Sequence, residues 1–225
     1  MFHRLQKLKE KGYSPSIIFD IGAHHGNWTK DMLQIFASPK YYLFEAIQYS
    51  ELNQHSGHPN IQIFNTILND TSKEVDWYEM KNTGDSMFRE KTHFFNNCNV
   101  VKRPSIDLTT FIEQNYLIHG EQNIFIKIDC QGAEIPILKG ATNILPVTDF
   151  ILLEIPLFGQ YNENTPNFLE HIQYMESIGF IPYDIVEKHY MNDFNMQIDM
   201  LFISKKHPFN NVVQESLYRN IVFSS

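Results

Sequence analysis

Short apolar runs alternate with amphipathic segments along the first third of the chain. Strand-like runs span Ile17–Ile21, Tyr41–Glu45 and Ile61–Phe64, and helical periodicity is found over Asn27–Phe36 and Tyr49–His55. Consecutive apolar positions are typical of parallel strands that are buried on both faces. Because strands and helices alternate, we expect βα units with right-handed crossovers and a parallel sheet.

The same alternation returns in the second half of the chain. Its last two strands are separated by about a dozen residues without helical periodicity, so we expect them to pair antiparallel. The elements of this half are a strand over Ile124–Asp129, a helix through Ile137–Gly140, a strand over Phe150–Ile155, a helix over Asn167–Ser177, and strands over Phe180–Val186 and Asp199–Ser204.

The middle of the chain departs from this rhythm. Glu74–Met80 alternates like an exposed strand, and Val100–Arg103 is a short candidate partner. A helix is then expected to begin at Ser105 or Asp107, since both are favourable N-cap residues. We therefore predict a β-hairpin excursion over about 71–104 that lies over the carboxyl edge of the sheet. A substrate-binding role and a purely structural role are both open for it.

Composition is that of an ordinary globular protein. The chain has 225 residues, of which 43% are hydrophobic and 20% charged, and this length allows one domain with a full core. We expect a single domain over 1–225, with an N-terminal amphipathic helix over 1–14, a core over 15–205 and a tail over 206–225. The formal net charge of −8 argues against a nucleic-acid partner, which requires a basic surface.

Cysteines and apolar segments indicate a cytoplasmic protein. Cys98 and Cys130 are far apart and lack metal-binding spacing, so we expect reduced thiols. The N-terminal segment has no apolar stretch of the kind found in export signals. Residues Phe150–Phe158 form the most apolar segment, but Glu154 and Pro156 interrupt it, so no membrane span is expected. A homo-oligomer is an open possibility.

The first strand leads into a glycine-containing turn. Gly22 allows a tight turn after the strand, and Gly26 allows a close approach at the start of the helix. Asp20 would repel the pyrophosphate that dinucleotide-binding folds place at this position. A cofactor with a cationic centre and an ammonium group, such as S-adenosylmethionine (SAM), suits an acidic turn better. The pattern predicts that all three residues bind such a cofactor.

Two further strand ends support a nucleoside site. Glu45 ends the second strand, 23 positions after Gly22, where an acidic side chain can accept hydrogen bonds from both ribose hydroxyls. A solvated carboxylate at a strand end is the alternative. Beyond the third strand, Ile67 is placed to cover an adenine ring, and Asn65 offers a polar group for its amino edge. We therefore predict cofactor contacts from Glu45, Asn65 and Ile67.

The run Lys127–Gly140 has the form Lys-hydrophobic-Asp-x-x-Gly-x-Glu-x-x-x-Leu-x-Gly. This run resembles the signature of FkbM-type SAM-dependent methyltransferases. The Asp-x-Gly-Ala-x-x-Gly turn over Asp20–Gly26 is similar to the cofactor loop of the same family and adds Ala23 to the predicted contacts. Gly84–Met87, in which Ser86 is predicted to bind substrate, and Asp199–Phe202 are similar as well. The resemblance extends over roughly residues 15–205.

This resemblance implies a Rossmann-like class I methyltransferase fold. In it, helices cover both faces of a seven-stranded, mostly parallel sheet of order 3-2-1-4-5-7-6, whose strand seven is antiparallel. It also implies SAM as the methyl donor, S-adenosylhomocysteine (SAH) as product, and O-methylation of a small molecule or saccharide. The sequence departs from the family pattern at Cys130-Gln131 and, relative to the wider fold, at Asn65-Thr66.

Methyl transfer to oxygen is an in-line displacement, so the protein mainly has to align donor and acceptor in a dry site. A base should take the proton of an aliphatic hydroxyl. Asp129 at the end of its strand is the first candidate and Glu154 the second, although contact with the methionine part of the cofactor is an alternative for Asp129. Lys127 either orients the acceptor or pairs structurally with a carboxylate, and Glu134 complements a helix N-terminus.

The histidines do not predict a metal site. His24 and His25 are adjacent, so they cannot both face the cofactor, and His55 and His58 lack a third ligand nearby. Two other functions remain open: a SAM-binding module without transferase activity, and a nicotinamide-dependent oxidoreductase. The second is disfavoured by Asp20 and by the absence of a third glycine in the turn.

Overall fold

The computed structural model describes residues 1–120, 122–157 and 162–212. Within these residues there are ten strands and five α-helices. The strands are β1 (Ile17–Ile21), β2 (Lys40–Glu45), β3 (Ile61–Asn65), β4 (Ile67–Asn69), β5 (Lys73–Glu79), β6 (Asn99–Asp107), β7 (Ile124–Ile128), β8 (Thr148–Pro156), β9 (Phe180–Met191) and β10 (Phe194–Ser204). The helices are α1 (Phe2–Glu10), α2 (Asn27–Ile35), α3 (Leu108–Asn115), α4 (Glu134–Lys139) and α5 (Phe168–Ser177).

Seven strands form one sheet in the order β3-β2-β1-β7-β8-β10-β9. All neighbours from β3 to β8 are parallel, and β10 is antiparallel to both β8 and β9. These chain-wide numbers differ from the expected 3-2-1-4-5-7-6, because β4, β5 and β6 lie in another sheet. Counted along the large sheet alone, the succession of strands and the antiparallel seventh strand are the ones expected.

Helices cover both faces of this sheet, as the apolar strands require. On one face, α3, α4 and α5 pack through residues such as Leu108, Leu138 and Met175. On the other face, α1 and α2 pack through residues such as Leu8 and Met32. The strands of the centre are fully buried between these two layers. The carboxyl ends of β1, β2 and β7 consequently meet at one edge of the sheet.

The middle of the chain forms a second sheet rather than a simple hairpin. The predicted antiparallel pairing of Glu74–Met80 with Val100–Arg103 is confirmed by β5 and β6, but β4 adds a third strand in the order β4-β6-β5. The expectation of a helix from Ser105 is wrong, because Ser105 pairs with Ile67 in a parallel ladder. The helix begins at Leu108, and Asp107 is its N-cap, accepting a hydrogen bond from the Thr110 N–H at 2.8 Å.

Two other boundaries differ from the expected ones. The segment expected to be a helix over Tyr49–His55 is a 3₁₀ helix over Ser50–His55. The connection between the last strands is much shorter than expected, because β9 and β10 continue to a two-residue turn. Its residues, Asn192 and Asp193, have φ values of 49° and 65°, as the twist of a tight hairpin requires.

No helix among the described residues is long and apolar enough to cross a membrane. The N-terminal helix α1 falls within the segment expected for it. The tail expected over 206–225 lies outside the described residues beyond Val212.

Candidate active site

A cavity lies at the carboxyl ends of β1, β2 and β7, on the edge where open α/β sheets bind ligands. It contains about 820 Å³ of empty space, including the part that opens to solvent. The second sheet closes its opposite side. The cavity therefore lies between the edge of the large sheet and the second sheet, which are formed by different segments of the chain.

The turn after β1 forms one wall of the cavity. Gly22 has φ 76°, and a Cβ atom at this position would lie 1.9 Å from the Asp129 backbone oxygen. Only glycine therefore fits between the two backbones. Gly26 also has a positive φ, but it packs against His55, whose Nε2 lies 2.8 Å from the Gly26 oxygen. Gly26 and the buried Ala23 do not line the cavity, so their predicted direct contacts with the cofactor lack support.

Asp20 and Lys127 form a buried ion pair below the turn. They face each other in the register of β1 and β7, and Lys127 Nζ lies 3.1 Å from Asp20 Oδ1. Asp20 Oδ2 accepts a hydrogen bond from the Thr29 hydroxyl at 2.6 Å, and Lys127 Nζ donates to the Gly22 oxygen at 2.7 Å. Burial disfavours the ammonium group, but the carboxylates of Asp20 and Asp129 outweigh it and raise the pKa of Lys127.

Neither member of this pair lines the cavity. The predicted direct contact of Asp20 with the cofactor therefore lacks support, because its side chain is buried in the protein and pairs with Lys127 there. Lys127 is likewise committed to Asp20 and Gly22 and does not reach an acceptor. Of the two roles considered for Lys127, the structure supports pairing with a carboxylate.

Glu45 lines the cavity at the end of β2. Its Oε2 accepts a hydrogen bond from the His24 N–H at 2.7 Å, and its Oε1 accepts one from the Ile47 N–H at 3.0 Å. Burial raises the pKa of Glu45, and the two N–H groups oppose this shift. Each oxygen keeps further lone-pair capacity, so the carboxylate is fixed in orientation and can still accept hydrogen bonds from a ligand.

Ile67 lies where the sequence predicted it, and Asn65 does not. Ile67 lines the cavity together with Thr66 and Trp77. The Asn65 side chain is instead exposed and donates a hydrogen bond to the Glu45 backbone oxygen at 2.9 Å. The expected polar contact with an adenine ring is therefore not available from Asn65.

The two candidate bases lie on different sides of Gln131. Asp129 lines the large cavity, and its side chain is 38% exposed. Glu154 lines a second, smaller and polar cavity, and Gln131 lines both. The Gln131 Nε2 atom lies 3.5 Å from Asp129 Oδ1 and 3.2 Å from Glu154 Oε2. Burial and then the carboxylates of Asp129, Glu134 and Asp199 raise the pKa of Glu154.

Glu134 closes the turn that follows β7. Its Oε1 accepts hydrogen bonds from the Cys130 N–H at 2.9 Å and from the Gly132 N–H at 3.3 Å. The side chain is buried, and burial raises its pKa to about 7. Glu134 therefore holds the shape of the turn that carries Asp129 and Gln131, beyond the helix-terminus role expected for it.

The second sheet delivers a loop to the cavity. Asp85 accepts hydrogen bonds from the backbone N–H groups of Met80 at 2.7 Å and Lys81 at 2.9 Å, which folds the loop tightly. Ser86, next to it, lines the cavity, and its hydroxyl donates to the Gln131 backbone oxygen at 3.2 Å. The loop thus lies against the carboxyl edge, as expected for the excursion.

Sequence reasoning missed several cavity residues, among them Ile47, Tyr49 and Asn82. They belong to no motif, and only their closeness in sequence to Glu45 and Ser86 could have indicated them. Trp77 packs on Ile67 and Val75 and lines the cavity as well.

Of the two adjacent histidines, His24 lines the cavity. Its φ is 49°, and its ring stacks on that of His25 with centroids 3.7 Å apart. Burial, and then the neighbouring His25, lower the pKa of His24. The acidic side chains of the lining are Glu45, Asp85 and Asp129, and no lysine or arginine of the described residues lines the cavity. Its charge is therefore negative.

The family of the chain follows from comparison with known protein families. Residues 20–182 match the Methyltransferase FkbM domain. The match covers most of the chain, and the protein belongs to this family. Among curated proteins, none matches the chain significantly.

Solved structures show the same fold at low sequence identity. Methyltransferase FkbM from Methylobacillus flagellatus superimposes with a TM-score of 0.51 and 13% identity, over 84% of this chain and 43% of that protein. This chain thus spans less than half the length of that relative. A 1,6-didemethyltoxoflavin-N1-methyltransferase from Burkholderia thailandensis, solved with its substrate and SAH, gives a TM-score of 0.50 and 10% identity over 91% of this chain and 78% of that one.

Proposed function

We propose that the protein transfers a methyl group from SAM to a hydroxyl group of a small molecule or saccharide. The observation that carries the proposal is Glu45, a carboxylate that two backbone N–H groups fix at the wall of the cavity. Membership of the FkbM methyltransferase family supports the reaction class.

The residues of the cavity fit SAM. Under this proposal Glu45 accepts hydrogen bonds from the ribose hydroxyls, and Ile67 covers the adenine. Gly22 lets the turn after β1 lie directly against the Asp129 backbone, with which a side chain would collide, and we propose that the methionine part lies beside this turn. The negative lining suits a sulfonium and an ammonium group and disfavours a pyrophosphate. When bound, SAM supplies a methyl group that is already activated for displacement, and the structure of the Burkholderia relative contains SAH.

The protein's own contribution is positioning and proton removal. The apolar side chains of Ile67 and Trp77 line the cavity, and under this proposal they help to exclude water from the donor side. Asp129, partly exposed at the end of β7, is the base that we propose for the acceptor hydroxyl, and Glu154 is reached only beyond Gln131. Ser86 is proposed to contact the acceptor from the loop of the second sheet. A positioned base contributes about 10²–10⁴-fold to rate.

Two other functions remain distinguishable by experiment. A SAM-binding module without transferase activity would share the donor contacts but not need Asp129 as a base. A nicotinamide-dependent oxidoreductase requires a site for a pyrophosphate, and the acidic lining argues against one.

The first experiment is calorimetry with SAM, SAH and NAD. We expect SAM and SAH to bind and NAD not to. Glu45→Ala should weaken SAM binding by about tenfold or more, because hydrogen bonds to a charged group are worth roughly 1.5–3 kcal/mol. The matched control is Glu51→Ala, an exposed glutamate on the neighbouring 3₁₀ helix. Binding of NAD in preference to SAM would refute the proposal.

The second experiment separates an enzyme from a binding module. The protein is incubated with methyl-labelled SAM and a panel of hydroxylated acceptors, and label transfer is measured. For an acceptor that is methylated, Asp129→Asn should reduce turnover about 10²-fold or more. Equal turnover by wild type and Asp129→Asn would exclude Asp129 as the base.

A further inference from the structure

Three side chains from neighbouring strands meet at the carboxyl edge of the sheet, outside the donor cavity. Asp199 on β10 lies opposite Glu154 on β8, and His189 on β9 lies opposite Gln197. Because Gln197 and Asp199 are two positions apart on one strand, their side chains and those of their partners lie on the same face. One ligand atom each from Glu154, His189 and Asp199 lies within 4.8 Å of the other two.

The group is accessible from solvent and yet anchored. The His189 side chain is 40% exposed, whereas that of Asp199 is 9% exposed. His189 Nε2 lies 2.8 Å from Asp199 Oδ2. This pair alone is an ordinary hydrogen-bonded pair of side chains at a strand end. It does not explain why a second acid, Glu154, points to the same place.

Negative charge accumulates here without a matching number of cations. The Asp199 carboxylate lies opposite that of Glu154 on the neighbouring strand, so the two repel each other, and Asp129 and Glu134 belong to the turn whose Gln131 contacts Glu154. The nearby cation is Lys127, 3.7 Å from Asp129. Lys127 is itself bound to Asp20. A divalent cation between the two carboxylates would offset this repulsion.

A second observation comes from the small polar cavity beside Glu154, which contains about 310 Å³ of empty space including its open part. His171 on α5 lines it, is fully buried, and has no hydrogen-bond partner for Nε2 among the described residues. Its Nδ1 lies 2.9 Å from the Asn167 oxygen, which accepts, so Nδ1 carries the proton. Burial lowers the pKa of His171, which favours the neutral ring with an acceptor at Nε2, among the residues that border this cavity.

We propose that Glu154, His189 and Asp199 form a binding site for a divalent transition-metal ion. One imidazole nitrogen and two carboxylate oxygens favour Zn²⁺ or Mn²⁺ over Mg²⁺, which prefers oxygen ligands alone. Three protein ligands leave coordination positions for water. The site lies next to the turn of Asp129 and Gln131, through the Gln131 amide that contacts Glu154.

The test is calorimetry of ZnCl₂ and MnCl₂ with the full chain, after treatment with a chelator that is then removed. We expect one ion per chain, with Zn²⁺ bound more tightly than Mn²⁺. His189→Gln and Asp199→Asn should each weaken binding about tenfold or more. Matched controls are His119→Gln and Asp76→Asn, which change an exposed histidine and an exposed aspartate far from the site in sequence.

Several outcomes would overturn the proposal: no binding of either ion at millimolar concentration, or binding that His189→Gln and Asp199→Asn leave unchanged. Because His189 is half-exposed, His189→Gln is expected to fold, and the unfolding midpoint of each variant checks this. SAH affinity is measured in the same variants. These residues do not line the donor cavity, so SAH affinity should stay at the wild-type value whichever way the metal result falls.

Discussion

Gly22 controls the distance between the turn after β1 and the turn after β7. It combines a left-handed backbone with a neighbouring backbone oxygen so close that even one methyl group has no space. Gly12 has a similar left-handed φ of 92°, but nothing lies within 4 Å of a Cβ atom there. Substituting Gly12 therefore costs only the strained backbone conformation, whereas substituting Gly22 costs the same strain and a steric collision in addition.

Gly22→Ala should destabilise the protein more than Gly12→Ala. A left-handed alanine costs about 1–2 kcal/mol, which both variants share. Gly22→Ala must in addition displace the backbone of Asp129 and should abolish SAH binding under our proposal. Urea denaturation measures the first effect and calorimetry the second. Equal losses of stability in the two variants would show that the close contact imposes no constraint.

Glu134 should make stability fall as the pH rises. Its pKa is raised from 4.5 to about 7 in the folded protein, so the native state holds a proton that the unfolded chain has lost between these values. This contribution is complete below pH 4.5 and is lost as the pH rises through 7, by about 3 kcal/mol.

The measurement is the unfolding free energy of wild type and Glu134→Gln from pH 4.5 to 8. Glutamine keeps an oxygen that accepts the two backbone hydrogen bonds but does not titrate. Relative to this variant, wild type should lose stability with rising pH. Glu113→Gln, at an exposed position of α3, should show no such difference. If the difference in unfolding free energy between wild type and Glu134→Gln did not change with pH, the pKa of Glu134 would be the same in the folded and unfolded states.

At the residue scale, the sequence was most informative where the chemistry is local. Glu45, Ile67 and Asp129 lie at or just beyond the carboxyl ends of strands. The carboxyl ends of parallel strands always meet at the same edge of a sheet, so these residues could be brought together in the prediction. Asp20 was placed in the right turn but with the wrong environment, because its partner, Lys127, is 107 positions away. Spacing within one motif cannot indicate which distant side chain neutralises a charge.

At the scale of elements, the loop between β5 and β6 depends on one turn. Asp85 binds backbone N–H groups of the residues before it and thereby brings Ser86 to the turn after β7. The pairing of β5 with β6 could be predicted from their alternating apolar and polar residues. The third strand, β4, could not be predicted, since its three residues show too little periodicity. Its partner segment in β6, Ser105–Asp107, was expected to begin a helix.

Asp85→Ala should loosen this loop without unfolding the protein. Each lost hydrogen bond is worth about 1 kcal/mol, and the loop residues that line the cavity would no longer be held. We expect SAH affinity to fall by about fivefold or more and amide exchange to increase over residues 80–87. Asp76→Ala, an exposed position on β5, is the control. Unchanged affinity in Asp85→Ala would show that the loop does not contribute to binding.

At the scale of the whole molecule, the parallel sheet was predictable from the alternation of strands and helices, whereas the strand order came only from the family resemblance. The two apolar faces of the central strands required helices on both sides, and α1 to α5 provide them. The sequence could not predict which residues together line the cavity. The cavity wall is formed by the end of β2, the second sheet and the turn after β7. These segments are far apart in the sequence, and local sequence patterns do not show that they meet.

The bond between Lys127 and the Gly22 oxygen joins residues 105 positions apart, and it has a consequence for the order of folding. β1 and β7 are neighbours in the sheet, yet the segments of β2 to β6 are synthesised between them. Closing so long a loop costs entropy before any contact offsets it. On a growing chain, the turn after β1 therefore exists long before the segment that fixes its shape. The donor cavity is among the features that form late, only after β7 has emerged and docked.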